Sequence, residues 1–419
     1  MPSSRRVVVT GMGAVTPLGN SVGEFWSNVV AGRSGVGPIT LFDAAELPTR
    51  IAGEVRDFDA AAAIGKKEAR KMDRFAQFAL VAARQAVADS GLRIDDENRD
   101  KIGVLMGSGI GGIITIEQQH KVLIGQGAGR LSPFFIPMLI GNIAPGLISI
   151  DLNVHGPTQT AVSACASSNN AIGDAYRTIQ YGEADVMLCG GSEAPITPLA
   201  VGGFCAMRAL STRNDEPQAA SRPFDRDRDG FVIAEGGGAL LLEEYEHALA
   251  RDARIYAELL GYGKSSDAYH MVTPDPRARG VKLALARALA DANISPAQVD
   301  YINAHATSTG LGDVSETQAI REVFAGSADE PAVSSNKSMF GHALGAAGAL
   351  EGICTVLTLR DGIIPPTINY RHVDPECSVD CVPNVARRAD VRVALSNAFG
   401  FGGHNAVLVF GKYRNGVAA

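Results

Sequence analysis

Large aromatic side chains are scarce in this chain. One Trp, nine Tyr and fifteen Phe make up 6% of 419 residues, whereas glycine alone contributes 47. That balance favours tight turns and closely packed elements, as in layered α/β proteins with many short connections. Long apolar runs are missing too: none approaches the ~20 residues that a membrane-crossing helix needs. The short run after Arg5 and Arg6 is broken by Thr10 and Gly11, so it reads as a first strand and not as a signal peptide. Cysteine is limited to Cys165, Cys189, Cys205, Cys354, Cys377 and Cys381, several of them inside apolar runs such as Val186-Met187-Leu188-Cys189. This excludes a disulfide framework and points to reduced thiols in a cytoplasmic protein. Cys377 and Cys381 have no second Cys/His pair to complete a zinc set, so no metal site is expected. Positive charge is in deficit, 38 Lys and Arg against 45 Asp and Glu for a net −7, which argues against a general nucleic-acid binder. A local basic patch facing an acidic partner remains open.

Hydrophobic residues make up 46%, which rules out disorder, and the length exceeds a usual single core, so two packed halves or one unusually large domain are expected. Strand-like runs recur at Val7–Thr10, Ile102–Met106, Thr158–Val162, Val186–Cys189, Ala239–Leu242, Ile302–Ala304, Val333–Ser335, Val393–Ser396 and Ala406–Phe410. Helix-like segments lie between many of them: Phe75–Ser90, Asn169–Tyr181, Val281–Ala292, Val314–Phe324 and Ala346–Arg360. Their alternation predicts α/β layers. The order strand, glycine-bearing turn, apolar helix occurs around Cys165 and again from Lys337 to Arg360, suggesting two similar halves. The boundary is expected near residue 255, in a polar helical connector spanning Glu243 to Arg254, giving units 1–255 and 256–419.

Three residues carry the chemistry. Cys165 stands between an apolar run and the helix-like stretch Ala171 to Tyr181, where a thiol can gain acidity from unpaired helix N–H groups. From the residues alone it is either a nucleophile in a polar turn or a small core residue. His305 ends the run Val299–Ala304, and His342 precedes the small-residue helix start Leu344-Gly345-Ala346-Ala347-Gly348. Alone, His305 at a strand end reads better as a structural histidine, and His342 reads either way. Together with the sulfur they suggest acyl transfer with carbanion chemistry. Lys337 lies in a turn flanked by Val333-Ser334-Ser335-Asn336 and Phe340-Gly341. If that turn is drawn inside, its ammonium needs a carboxylate, and Glu351 in the apolar helix is the available partner. One decoy stands out: Gly107-Ser108-Gly109-Ile110-Gly111-Gly112 follows a strand and fits G-x-G-x-x-G. No acidic residue occurs from Gln118 through Ile150, so dinucleotide binding is rejected.

These blocks resemble the β-ketoacyl-acyl-carrier-protein synthases of the thiolase superfamily, in particular the type II branch of bacterial fatty-acid elongation. The resemblance runs from Arg5-Arg6-Val7-Val8-Val9-Thr10-Gly11 to Phe399-Gly400-Phe401-Gly402-Gly403-His404-Asn405. It includes Arg222-Pro223-Phe224-Asp225 with Asp229-Gly230-Phe231-Val232, and Ser265-Ser266-Asp267-Ala268-Tyr269-His270. It implies a five-layered αβαβα thiolase fold of two similar halves, a homodimer, and an acyl carrier protein as partner. No cofactor is implied, because phosphopantetheine arrives on the carrier.

By the same resemblance Cys165 takes the acyl chain, His305 and His342 steady the enolate left when malonyl-carrier protein loses CO2, and the Lys337–Glu351 pair supports the site. The Cys165 and Phe401 N–H groups form the oxyanion hole, with Phe401 as a gate. Thr307 and Thr309 hydrogen-bond the pantetheine arm. Ile110, Gly141 and Phe204 line the acyl pocket, and Lys67, Arg70, Lys71 and Arg208 dock the acidic carrier. The segment Lys66–Arg74 that holds three of these reads otherwise as a solvated helix face.

The chain departs from the family pattern at several positions. Ala306 replaces the usual glycine, Phe340 and His404 replace threonines, Ser168-Asn169-Asn170 replaces a Ser-Gly pattern, and Gly141 stands where a larger aliphatic is common. The departures beside catalytic residues put pocket shape in question more than chemistry, and Gly141 would widen the acyl tunnel. Competing readings are a ketosynthase of a type II polyketide or aryl-polyene pathway and, from another class, a non-catalytic chain-length partner subunit. Retention of Cys165, His305 and His342 speaks against the latter.

Overall fold

A computed structural model describes residues 5–327 and 330–414. Ten strands form its main sheet: β1 (Val7–Val15), β2 (Ile102–Gly107), β3 (Thr158–Ala161), β4 (Val186–Glu193), β5 (Gly236–Glu244), β6 (Ala257–Ser266), β7 (Tyr301–Asn303), β8 (Ala332–Ser334), β9 (Val393–Gly400) and β10 (His404–Lys412). The spatial order is β3-β2-β4-β5-β1 followed by β6-β10-β9-β7-β8. The second half thus repeats the first when each strand number is raised by five. Pairing sense repeats as well. β2 pairs parallel with β3 and β4, and β7 pairs parallel with β8 and β9. The pairs β4–β5, β5–β1, β9–β10 and β10–β6 are all antiparallel. The halves join where Val7–Val9 of β1 meets Ala257–Leu259 of β6.

Eight of the helices among the described residues matter here: α1 (Arg74–Ser90), α2 (Ile113–Gln126), α3 (Ile143–Leu152), α4 (Ser167–Gln180), α5 (Pro198–Ala206), α6 (Arg279–Asp291), α7 (Gly310–Val323) and α8 (Ala347–Asp361). α1 and α3 pack on the outer face of the first half-sheet, α6 on the outer face of the second with α7 beside it, and α4 and α8 lie between the two half-sheets. This is the five-layered α/β fold expected from the sequence. Period-two alternation explains the layering. In β4, Val186 and Leu188 face the outer core while Met187 and Cys189 face the central one. In β10, Val407 and Val409 face outward while Ala406, Leu408 and Phe410 face the centre. α8 is enclosed on all sides, with Ala347 through Leu359 buried, so its apolar character runs round the whole helix.

Each predicted strand, and each helix predicted between the strands, overlaps an observed element and overhangs its end by at most one residue. The tenth strand, β6, escapes a hydrophobicity reading because Gly261 and Gly263 interrupt it. A methyl at Gly261 would strike the Ala288 carbonyl, and one at Gly263 the Ala284 carbonyl, so the glycines let α6 approach. Gly11 and Gly13 of β1 do the same for α1 against Ala86 and Ala82. Glu243 and Glu244, read as part of a helical connector, belong to β5, and the helix that follows is Tyr245–Ala250.

Candidate active site

Two equivalent turns meet at the centre. After β3 the chain enters a short 3-10 turn, Ala164–Ala166, then α4; after β8 and the single helical turn Lys337–Phe340 it enters another, Leu344–Ala346, then α8. Each opens on a non-glycine residue with left-handed backbone, Ala164 at φ 50° and Leu344 at φ 46°. Such conformations are strained, and they lift the next residue out of the turn. In the first turn that residue is Cys165. In the second it is Gly345, whose carbonyl accepts the Ser168 hydroxyl.

His342 Nε2 lies 3.0 Å from Cys165 Sγ. The ring of His305 stands edge to face against His342, with centroids 5.3 Å apart, and one donor atom from each of the three residues lies within 4.8 Å of the others. All three side chains are buried. Burial, reinforced for both by the charge of Lys337, holds His305 and His342 well below the ordinary imidazole range, so both are neutral at pH 7. The expected acidification of the thiol is not what the surroundings produce. Burial pushes Cys165 up to about 12, while Lys337 and the Phe401 N–H pull the other way. The thiol therefore rests protonated beside a neutral imidazole nitrogen.

Lys337 is fully buried and pairs with Glu351 of α8, as the apolar flanks of both residues require. Burial drives the Glu351 carboxyl up, to about 7, against the pull of Lys337. His305 is fixed through its backbone: Glu316 of α7 accepts the N–H groups of His305 at 2.9 Å and Ala306 at 2.7 Å, and the amide of Asn397 at 2.9 Å. Glu316 and Glu193 are functional supports that sequence reasoning missed. Glu193 closes β4 and accepts the Gly109 N–H at 2.6 Å, the Ile110 N–H at 3.1 Å, the Ser108 hydroxyl at 3.0 Å and the Gly345 N–H at 3.0 Å. The N–H groups that a dinucleotide phosphate would need are thus already committed to a carboxylate, a second reason for rejecting that motif. The only sequence signal for Glu193 is an acidic residue ending an apolar strand.

A cavity of about 530 Å³ opens beside Cys165, His305 and His342. Ile110 and Phe204 line it, as do Thr307, Thr309, Arg208 and Phe401. Gly400 runs against the Cys165 turn, so closely that a side chain there would meet the Ser163 carbonyl. Gly141 is not on this wall. It lies behind the glycine loop, where its carbonyl accepts the Thr160 hydroxyl at 3.3 Å and a side chain would meet only Thr160 Cγ2 at 3.8 Å. Phe340 also turns away, packing in the central core edge to face on Phe25, with centroids 5.7 Å apart. His404 is exposed and off the cavity wall, and Ala306 is buried. Of the basic segment, Lys67 and Arg70 are exposed, Lys71 pairs with Glu68 at 2.9 Å, and Arg74 is turned inward to the buried Glu235 at 2.8 Å.

A cysteine on a strained turn, facing two neutral imidazoles across a duplicated layered sheet, places the molecule among the thiolase-fold condensing enzymes. Residues 4–248 match the family described as "Beta-ketoacyl synthase, N-terminal domain" and residues 256–371 its C-terminal domain. The chain belongs to the beta-ketoacyl synthase family. It is 53% identical over 410 residues to the 3-oxoacyl-[acyl-carrier-protein] synthase 2 of Synechocystis sp., covering 98% of this chain and 99% of that protein. Among solved structures it resembles the ishigamide ketosynthase/chain length factor, with a TM-score of 0.92 and 38% identity over 98% of this chain and 100% of that one. It also resembles a ketosynthase bound to its type II polyketide acyl-carrier protein, with a TM-score of 0.88 and 36% identity over 98% and 100%.

Proposed function

We propose that the protein condenses malonyl-acyl-carrier protein with an acyl chain held on Cys165, releasing CO2 and 3-oxoacyl-acyl-carrier protein in fatty-acid elongation. The observation that carries this reading is the contact of His342 Nε2 with the Cys165 sulfur, with neutral His305 alongside. Attack of Sγ on the incoming thioester breaks its bond to pantetheine, whose sulfur leaves with the proton that Cys165 gives up. Malonyl-carrier protein then binds, and loss of CO2 leaves an enolate. Neutral imidazoles donate hydrogen bonds to the enolate oxygen without protonating the carbanion. The carbanion attacks the carbonyl of the Cys165 thioester, the C–S bond to Cys165 breaks, the freed sulfur takes up a proton from solvent, and the product leaves two carbons longer. The N–H groups of Cys165 and Phe401 hold the tetrahedral oxyanion, Thr307 and Thr309 hold the pantetheine arm, and Lys337 with Glu351 sets the field at the histidines.

Lys67, Arg70, Lys71 and Arg208 would attract an acidic carrier protein. Cytoplasmic residence suits six free thiols, and no helix among the described residues is long and apolar enough to cross a membrane. We place the junction of the halves near residue 255. A homodimer is supported by the outer edge of β3, where Thr158 and Gln159 are exposed, and by the apolar side chain that follows it, Val162 at 67% exposure. Gly141 lies off the cavity wall, so it would act where the acyl tunnel continues toward the second subunit; there Gly141→Val should shorten the longest product, and unchanged product length would refute that role. The polyketide reading is less favoured, because identity is 53% to the fatty-acid synthase relative and 38% and 36% to the two ketosynthase structures described above. The test is incubation with malonyl-carrier protein and a ladder of acyl-carrier proteins, with products read by mass. Saturated acyl chains extended by two carbons support the proposal; no condensation, or extension of polyenoyl chains alone, overturns it.

A further inference from the structure

The two imidazoles lack the usual means of orientation. A functional histidine is normally aimed by a hydrogen bond at its second ring nitrogen. Here Nδ1 of both His305 and His342 is buried with no partner among the described residues. The torsion about Cβ–Cγ is a broad one, so the backbone alone does not set the ring plane. What surrounds the rings instead is a ladder of aromatic faces and edges. Phe231 stands against His342 with centroids 5.4 Å apart and planes at 80°, and His305 stands against Phe399 at 5.7 Å and 62°. Phe204, on α5, continues the ladder from Phe231 at 5.4 Å and 80°. All these distances and angles fall in the favourable edge-to-face range.

The supports are themselves fixed. The Phe231 N–H donates to Ala209 O at 3.0 Å, and its carbonyl accepts the Ser211 N–H at 2.9 Å. The segment that begins at Phe231 also grips the backbone of His342: the His342 N–H donates to Val232 O at 2.7 Å, and the Ala234 N–H donates to His342 O at 2.9 Å. Phe399 sits in β9, paired in register with Asn405 of β10.

We propose that Phe231 and Phe399 are positioning residues that aim the rings of His342 and His305, in place of the missing second hydrogen bonds. A carboxylate at Nδ1 would also orient a ring, but it would raise its basicity and draw it toward the imidazolium. A phenyl group orients without changing charge. Both rings therefore stay neutral donors, which is what the condensation reading requires and on which this inference rests.

The experiment measures malonyl-carrier protein decarboxylation without an acyl primer in wild type, Phe231→Leu, Phe399→Leu and the ring-retaining Phe399→Tyr. The leucines keep apolar bulk but lose the ring. Removing an oxyanion donor outright costs about 10²–10³ in rate; misaiming one should lower kcat by roughly ten- to a hundredfold, with KM for malonyl-carrier protein held within about threefold. Phe399→Tyr should stay near wild type. Nitrogen-15 spectra of labelled histidine should show one tautomer for each ring in wild type and averaged tautomers in the leucine variants. Unchanged kcat in both folded leucine variants, or a rise in KM alone, overturns the proposal. If Phe231→Leu does not fold, the half-buried Phe399 carries the test. A wild type that does not decarboxylate at all instead refutes the condensation reading.

Discussion

Replacing Lys337 by methionine separates what the buried pair contributes to stability from what it contributes to chemistry. Lys337 and Glu351 are both fully enclosed, and Glu351 Oε2 has no other partner among the described residues. Removing the ammonium strands a carboxyl in the central layer, a kind of change that costs about 3–5 kcal/mol. The cost depends on pH in a defined direction. Glu351 titrates near 7 even with Lys337 present, above the 4.5 of an unperturbed glutamate. A raised carboxyl weakens the fold as pH rises from the unfolded value through the folded one, so Lys337→Met should be milder near pH 5 than at pH 8. The double variant Lys337→Met/Glu351→Leu removes the stranded group and should recover most of the lost stability. It should not recover activity. Lys337 lowers the pKa of Cys165, so its loss moves the thiol further from ionisation and slows alkylation of Cys165 by iodoacetamide in single and double variants alike. The assay is urea unfolding at pH 5 and 8 for the four proteins of the cycle, alongside the alkylation rate. A double variant as unstable as the single one, or alkylation at the wild-type rate, would refute the reasoning.

Phe340→Thr restores the residue common in the family but empties a fully buried site against Phe25. It should lower stability by about 3–4 kcal/mol, while condensation by the folded fraction stays close to wild type because Phe340 is off the cavity wall; urea unfolding and steady-state rates check both halves. Glu243 is held down to about 2 despite its burial, through Arg251, His247 and Thr10. Its contribution is present above pH 4.5 and lost as pH falls through 2, so Glu243→Gln should cost about 3 kcal/mol at pH 7 and little at pH 2, by calorimetry across that range. Because His305 and His342 are depressed well below 6.5, their nitrogen-15 shifts should stay those of neutral rings from pH 8 to pH 6.5. A transition to the imidazolium centred on 6.5 would show that an imidazole titrates at its ordinary value.

Strand and helix positions were legible wherever apolar periodicity was unbroken, as in β4 and α8. β6 was not, because the glycines that admit α6 erase the pattern that marks a strand. Cys165 and His305 could be singled out because each ends an apolar run, His342 because it precedes a small-residue helix start, and Lys337 because its turn lies between Val333 and Phe340; their roles came from the family resemblance. Their supports could not: Glu193 and Glu316 are distant in sequence from the N–H groups they hold, and Phe231 is recognisable as a neighbour of His342 only once both are placed. Arg74 shows the same limit from the opposite side. In sequence it belongs to a run of cations; in space it neutralises a buried carboxyl.

The duplicated turn bears on how such a scaffold comes to hold one reaction centre and not two. Cys165 and Gly345 occupy matching corners of two turns that pack on each other. Gly345 is pressed so closely to the Gly109 N–H and the Glu193 carboxylate that any side chain would collide with them. Symmetry is therefore broken by crowding. One copy keeps the sulfur, and the other, stripped to bare backbone at its corner, supplies the imidazole of His342 from the residues just before it.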